Sequence, residues 1–534
     1  MQIPGKCVTL KKAGGSCAGI EIYPRKVLKT RMIYYTIHDY LKLLEEAGLV
    51  SARRLLGRED TPIVSLTYNS AETVPGTLFV CKGALFKRDY LLDAAARGAV
   101  LYISETDYHL EEIPCILVSD IRLAMPLLAR KFYQIPADAL HYIGITGTKG
   151  KTTTAYYVKA IFDEYMKQTG GVPTAFFTSV ETYDGRERKP SRITTPESME
   201  LYRHFRNAFE SGIRYVTMEV SSQALKYGRV LGIPYDVGVF LNISEDHISP
   251  VEHRDFQDYF QSKLLLFRQV KTACVSLDSP FSREILAGAS SAERILTFGT
   301  TEGADIYGYG LHTEGGRICF RAKCSAFDEA FTLAMHGAFN VENALAAIAV
   351  AYSFGLPADA MKAGLARATV SGRMEEFSSR DNRIKAIVDY AHNALSFEKI
   401  FEAAEQEFPG FQLVSVFGCP GGKALNRRGD LGTAAGRRCS RIYLTADDPG
   451  PEDAMDICRE IGQYVEKTGC PYECISDREE AIRKAVRDVT EPSVILVLGK
   501  GSETGQKIGQ KDVSYRSDAE IIRECLQAYD DASL

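Results

Sequence analysis

His141-Tyr-Ile-Gly-Ile-Thr-Gly-Thr-Lys-Gly-Lys-Thr-Thr-Thr154 is an apolar run that breaks into a glycine turn and resumes on lysine and threonine. A strand, a tight turn and a helix N-terminus in that order surround a phosphate with backbone N–H groups and the positive end of a helix dipole. In such a turn Lys151 reaches the terminal phosphates and the Thr152 hydroxyl ligates Mg²⁺. Gly147, Thr148, Lys149, Gly150 and Thr153 complete the candidate nucleotide loop. Its spacing, G-x-x-G-K-T, is shorter than the usual G-x-x-x-x-G-K-[ST]. An ordinary glycine turn is the alternative, and the Lys-Thr-Thr run at a strand–helix junction argues against it.

Outward from this turn the chain alternates strands and helices. A helix is expected over Thr152–Met166, and buried strands over Tyr215–Val220 and Val237–Asn242. Strands and helices at this spacing imply right-handed crossovers and a mainly parallel sheet. Helical stretches at 341–353 and 358–367 close that unit. Upstream, Thr36–Ala47 opens on an N-cap threonine and continues with helical periodicity. Strands follow at 63–68, 77–81 and 116–118, with helices at 90–97 and 124–132. Downstream of Ser371, strands at 385–389, 413–417, 441–445 and 494–498 again alternate with helices. The expected division is an N-terminal extension at 1–31 and α/β domains at 32–138, 139–369 and 370–534.

Composition fits this plan. A chain of 534 residues is too long for one hydrophobic core. Its 45% hydrophobic and 25% charged residues are ordinary for a globular protein, excluding collagen-like, coiled-coil and disordered classes. Lys+Arg 64 against Asp+Glu 69 leaves a net charge of −5, with no basic excess to attract nucleic acid. No run approaches the ~20 apolar residues of a membrane span. The first thirty residues lack the apolar core of a secretory signal, and translation starting at Met32 is one reading of them. Thirteen scattered cysteines, with neither Cys319/Cys324 nor Cys470/Cys474 flanked by a zinc-ligand set, point to reduced thiols in the cytoplasm.

Thr146-Gly-Thr-Lys-Gly-Lys-Thr-Thr resembles the phosphate loop of the Mur ligase family of ATP-dependent amide-forming ligases. The likeness recurs in order at Thr194-Thr-Pro-Glu-Ser, Met218-Glu-Val-Ser-Ser, Asn242-Ile-Ser-Glu-Asp-His and His336-Gly-Ala-Phe-Asn-Val-Glu-Asn. It continues through Gly372-Arg-Met-Glu, Val388-Asp-Tyr-Ala-His-Asn and Leu498-Gly-Lys-Gly, covering about Leu66 to Gln506. Within the family it is greatest to the group that adds the third residue of the peptidoglycan stem peptide. The resemblance implies three domains: a UDP-muramyl-binding domain, a central P-loop ATPase domain and a doubly wound, Rossmann-like C-terminal domain that receives the amino acid.

It also implies roles. Glu219 would share one Mg²⁺ with Thr152. A carboxylate ending a buried strand needs a cation or donor in any case. His247, elsewhere readable as a core histidine, would ligate a second Mg²⁺. Lys263 would carry a CO₂-derived carbamate (N6-carboxylysine), an oxygen ligand of the kind Mg²⁺ prefers. A lysine snorkelling from an amphipathic helix is the plainer reading. Asn343, Arg373 and Asp389 would contact ATP, with Lys151 and Arg373 offsetting charge on the transferring phosphoryl group. Ser70, Thr194, Thr195, Ser221 and Arg229 would contact UDP-N-acetylmuramoyl-L-alanyl-D-glutamate. Two positions depart from the family pattern: Asn69-Ser-Ala stands in place of Asp-Ser-Arg, and Gln223 in place of a common histidine.

The acceptor would be a diamino acid joined through an acyl phosphate. Relatives that add meso-diaminopimelate carry Asp-Asn-Pro-Arg, whereas this chain reads Asp447-Asp-Pro-Gly450. Without that arginine a distal carboxylate would be poorly satisfied. Asp447, Asp448 and Glu503 would instead receive the side-chain ammonium of L-lysine, and Lys423 and Arg427 its α-carboxylate. The loop 418–428 and the stretch 79–87 also look like the lysine-adding group. Ornithine or another diamino acid, meso-diaminopimelate, and folate polyglutamylation are the alternatives, and a monomer is expected.

Overall fold

The computed structural model describes residues 33–83, 86–245, 248, 252–314 and 317–532. The N-terminal extension and the Met32 start lie outside them. Three main sheets of five, eleven and six strands follow one another along the chain.

The first sheet runs Val50–Arg54, Cys115–Val118, Ala99–Ser104, Thr77–Val80, Ser65–Thr67 from edge to edge. Every pairing is parallel except that of the Val50–Arg54 strand. Helix Ile37–Glu46 begins where Thr36 and Asp39 form a capping box, and it buries Ile37, Tyr40, Leu41 and Leu44 at helical spacing. Helix Ile121–Tyr133, capped by Asp120, packs against helix Ser198–Glu210. One apolar core therefore continues from the first sheet into the central one.

Seven parallel strands form the middle of the central sheet, in the order Ile306–Glu314, Arg294–Gly299, Val270–Ser276, Tyr235–Phe240, His141–Thr146, Tyr215–Glu219, Ala175–Phe177. Side chains alternate between its faces. Ile143, Ile145, Val237 and Val239 pack under helices Lys151–Thr169 and Asn340–Ser353, while Val216, Met218, Phe240 and Val275 join the opposite core. Burial on both faces is why these strands read as continuous apolar runs. Antiparallel wings extend both edges, one from Ile306–Glu314 through Arg317–Lys323 to Asp328–Leu333, the other through Glu181–Tyr183 and Arg188–Pro190. The sheet is mainly parallel, as expected, and its antiparallel pairings are confined to the wings. The wing strands are half-exposed, and Arg317–Lys323 alternates buried and exposed residues as a one-sided strand does.

The third sheet is ordered Glu375–Ser378, Ile384–Asp389, Ser493–Leu498, Gln412–Phe417, Arg441–Leu444, Tyr472–Cys474, parallel but for its first strand. Val494, Leu496 and Leu498 face a core shared with helices 394–407, 426–438 and 454–466; Ile495 and Val497 face one shared with helices 478–487 and 518–532. Helices on both faces make it doubly wound. Asp389, Gly418, Asp447 and Lys500 all stand at or just beyond carboxyl ends of its strands, where such sheets bind ligands.

Candidate active site

Gly147 and Gly150 shape the phosphate turn. Gly150 has φ +86° and caps helix Lys151–Thr169, and a Cβ there would lie 2.2 Å from Asn343 Oδ1. The turn is fastened to the loop after the Tyr235–Phe240 strand. Thr148 N–H donates to the Asn242 carbonyl (3.0 Å), Lys149 N–H to Asn242 Oδ1 (2.9 Å), and Thr148 Oγ1 meets the Tyr259 hydroxyl at 3.1 Å. Lys151 Nζ donates to the Gly147 and Thr148 carbonyls at 2.9 and 3.1 Å, so its ammonium folds over the turn.

Glu219 is 1% exposed at the end of its strand. Its Oε1 accepts from Thr152 Oγ1 and from Ser179 N–H, each at 2.8 Å, and Ser179 Oγ lies 3.1 Å from Thr152 Oγ1. These partners are neutral, and the buried carboxylate stands beside two hydroxyls. That set of hard oxygen donors suits Mg²⁺. Lys263, also 1% exposed, ends helix Phe256–Leu264. Its Nζ donates to the Gly147 carbonyl at 2.8 Å and lies 4.7 Å from the Tyr259 ring centre. This placement is inside the site and not the solvent-facing position of a snorkelling lysine. His247 lies outside the described residues.

A cavity of about 310 Å³ joins this turn to the third sheet, bounded by Lys151, Thr152, Glu219, Asn343, Arg373 and Asp389 among others. Arg373 stacks its guanidinium 4.4 Å from the Tyr390 ring centre. The turn carrying it is set by Met374, a non-glycine residue at φ +47° whose N–H donates to Asp389 Oδ2 at 2.8 Å. Ala391 N–H donates to the other Asp389 oxygen at 2.7 Å. Burial pushes the Asp389 carboxyl up, and Arg373 and these two donors pull it back. Asn343 Nδ2 donates to Asn340 Oδ1 at 3.0 Å at the far wall.

On the other side, Thr194 lines the same cavity, and the buried Thr195 donates to the Glu219 carbonyl (2.9 Å) while accepting from Ser221 N–H (3.0 Å). Ser221 caps the short helix after the strand. Arg229 Nε pairs with Glu197 at 3.0 Å, and Lys82 of the first sheet's segment reaches the other Glu197 oxygen at 2.9 Å. Ser70 is half-buried in the Ser70–Glu72 turn, two residues beyond Tyr68, whose ring Lys82 covers at 4.6 Å. Sequence reasoning passed over Lys82 and Glu197, although both lie inside motifs it had singled out.

The residues expected to receive the amino acid also converge, around a cation the sequence reading had not used. Lys500, fully buried, donates to Asp448 Oδ1 (3.0 Å) and Glu503 Oε2 (2.8 Å). Burial pushes the Asp447 carboxyl up to about 6 against the pull of Lys500 and Arg478. The loop bearing the exposed Lys423 packs on this site: Gly421 N–H donates to the Asp448 carbonyl at 3.0 Å, and a Cβ on Gly418 would lie 2.0 Å from the Thr445 carbonyl. Arg427 is half-buried in helix Asn426–Arg438 just beyond that loop. The signal for Lys500 was its setting, a lysine between two glycines directly after a buried strand.

Residues 145–351 match the Mur ligase middle domain, and residues 372–501 the Mur ligase glutamate ligase domain. The chain is 38% identical over 464 residues to UDP-N-acetylmuramoyl-L-alanyl-D-glutamate–L-lysine ligase of Streptococcus pyogenes serotype M3, covering 86% of this chain and 92% of that one. Among solved structures it resembles a UDP-N-acetylmuramoyl-L-alanyl-D-glutamate–2,6-diaminopimelate ligase, with TM-score 0.64, 23% identity, and coverage of 93% of this chain and 99% of that one. It also resembles MurF ligase from Thermotoga maritima in complex with ADP, with TM-score 0.58, 19% identity, and coverage of 88% and 98%. No described helix is long and apolar enough to cross a membrane.

Proposed function

The chain belongs to the Mur ligase family, and from that premise we propose that it joins L-lysine to UDP-N-acetylmuramoyl-L-alanyl-D-glutamate at the expense of ATP. This is the third-residue step of peptidoglycan stem-peptide synthesis, and its nucleotide substrates make the cytoplasm the expected compartment. The observation that carries the reading is the likeness to a lysine-adding relative over 92% of that relative.

The geometry supports a staged reaction. ATP would lie in the cavity with its phosphates on the 147–153 turn, where Lys151 and the helix N-terminus offset their charge. Asn343 would face the base, Asp389 the ribose, and Arg373, held by Tyr390 and the Met374 turn, would reach the phosphates from the third domain. The UDP-muramyl dipeptide would bind along Ser70, Thr194, Thr195, Ser221 and Arg229. Its D-glutamyl γ-carboxylate attacks the γ-phosphate, forming an acyl phosphate and releasing ADP. The α-amine of the acceptor then attacks the acyl carbon, phosphate leaves, and the amine proton is lost. Thr152 and Glu219, with His247 and a carbamylated Lys263, would hold two Mg²⁺ ions, which supply Lewis-acid stabilisation of the transferring phosphoryl group. Because Arg373 and the acceptor residues lie on the third sheet and the phosphate turn on the central one, closing the two together would exclude water from the acyl phosphate.

Lysine is favoured over meso-diaminopimelate on local grounds. Gly450 has φ +57°, a left-handed conformation that costs an L-residue such as arginine about 1–2 kcal/mol. Its N–H donates to the Lys507 carbonyl at 2.9 Å, which ties the turn to the Gly505–Ser514 hairpin. Asp447, Asp448 and Glu503 then make the pocket acidic, suited to an ammonium and unsuited to a second carboxylate. The test is the product: purified protein incubated with ATP, Mg²⁺, UDP-N-acetylmuramoyl-L-alanyl-D-glutamate and a panel of amino acids. A nucleotide product heavier by one lysine residue supports the reading, and no amino-acid-dependent ADP release from any member of the panel rejects it.

A further inference from the structure

The acceptor pocket holds an ammonium of its own. Lys500 sits in the turn after the Ser493–Leu498 strand, with Gly499 and Gly501 at φ +113° and +54° on either side. Neither glycine has room for a side chain: a Cβ on Gly499 would lie 2.5 Å from Asp447 Oδ2, and one on Gly501 would lie 2.7 Å from the Gly372 carbonyl. The turn is therefore packed between the acidic loop and the turn that carries Arg373. From it the Lys500 side chain, with no exposed surface, reaches Asp448 Oδ1 and Glu503 Oε2. Lys507 N–H donates to that same Asp448 oxygen at 3.0 Å, whereas Asp448 Oδ2 accepts no hydrogen bond among the described residues. Both carboxylates keep an accessible side, with Asp448 29% and Glu503 41% exposed in their side chains.

We infer that Lys500 is a positioning residue for the acceptor amino acid: from beneath, its ammonium holds one oxygen each of Asp448 and Glu503, keeping the two carboxylates side by side and open to the side-chain ammonium of the incoming diamino acid. This rests on the reading that the 447–503 cluster receives that ammonium. Three carboxylates around one lysine leave the cluster net negative. Two carboxylates that share one partner repel each other, and the lysine between them offsets that repulsion. Among the described residues, the other groups facing the cluster do not supply such a counter-ion. Burial holds Tyr390, beside Glu503, neutral, and Arg478, whose charge reaches Asp447, is spent on the buried Asp518 at 2.8 Å. Burial would lower the Lys500 pKa, but Asp447, Glu503 and Asp448 outweigh it and hold the lysine protonated. The buried side chain is anchored at both carboxylates, which hold it in place. Lys500 is thus a fixed support and not a plug that substrate displaces.

The experiment measures KM and kcat for L-lysine from about pH 6 to about pH 9 in wild type, Lys500→Met and Lys500→Arg, at saturating ATP and UDP-muramyl dipeptide. Loss of a charge-assisted contact on each carboxylate is expected to raise KM roughly ten- to a hundredfold near neutral pH, with kcat little changed. Without the cation the two negative charges repel each other, a cost relieved by taking up a proton, so the defect shrinks as pH rises. Arginine restores most of the affinity and the wild-type pH profile. An unchanged or lowered KM, or a loss equal at every pH, overturns the inference. If Lys500→Met does not fold, Lys500→Gln is judged by the same criteria. The underlying reading fails separately, and visibly, if wild type forms no lysine-containing product.

Discussion

Replacing Gly150 by alanine tests whether the phosphate turn and the Asn343 wall form one unit. The backbone there is left-handed at φ +86°, which costs an L-residue about 1–2 kcal/mol. The new Cβ would also lie 2.2 Å from Asn343 Oδ1 and 3.1 Å from its Cγ. Real Cβ atoms do not approach so closely, so the Asn343 amide must turn away. Doing so weakens its bonds to Asn340 (3.0 Å) and Thr154 (3.4 Å), each contributing about 0.5–1.5 kcal/mol. The total is a destabilisation of about 2–5 kcal/mol, together with a distorted nucleotide wall. Denaturant unfolding is best followed by circular dichroism, since the chain has no tryptophan. The ADP-release assay should show the KM for ATP raised tenfold or more, on the order of 1.4 kcal/mol of lost binding. Gly150→Ala combined with Asn343→Ala removes the clash but keeps the strain, so the pair should be less damaging than the sum of the singles by at least about 1 kcal/mol. Wild-type stability and ATP KM in Gly150→Ala, or strict additivity in the double variant, would refute the coupling.

Lys263→Ala should lose ligase activity while remaining folded, and a short added carboxylate should partly restore it by standing in for the carbamate; full activity without additive would remove the carbamate from the account. His336 lies between Glu376 and Glu407 at 2.7 Å each, joining the approach to helix Asn340–Ser353 to the third sheet. Those two partners hold its pKa up at about 10 against burial, from an ordinary 6.5. A raised pKa contributes stability fully below about pH 6.5 and loses it as pH climbs through about 10. The melting-temperature gap between wild type and His336→Gln should therefore be widest near pH 6 and close toward pH 10; a gap that widens with pH would contradict the clasp.

The strongest sequence signals were those written locally. Thr36 before Ile37, Tyr40, Leu41 and Leu44 carries both the cap and the buried stripe of its helix. The Gly147–Thr152 turn needs no distant partner to be recognised. The Ile306–Glu314 strand was missed because it carries two glycines and an exposed end, and the antiparallel Val50–Arg54 strand of the first sheet because it carries two arginines on a half-exposed edge, so neither reads as an apolar run. Apart from Thr152 and Glu219, which the family resemblance had already brought together, contacts across the chain were not legible. Ser179 joins Thr152 and Glu219 across 27 and 40 residues, and Lys500 reaches Asp448 across 52. Motif order supplied the candidate residues; their partners follow from how the sheets stack.

The central claim is that this ligase selects L-lysine, and direct competition tests it. L-lysine and meso-diaminopimelate are offered at equal concentration with ATP and UDP-N-acetylmuramoyl-L-alanyl-D-glutamate, and the two nucleotide products are separated by mass. A pocket that lacks an arginine at Gly450 and presents Asp447, Asp448 and Glu503 should favour lysine by roughly ten- to 150-fold, the weight of one charge-assisted carboxylate contact. Excess of the diaminopimelate product would contradict the account.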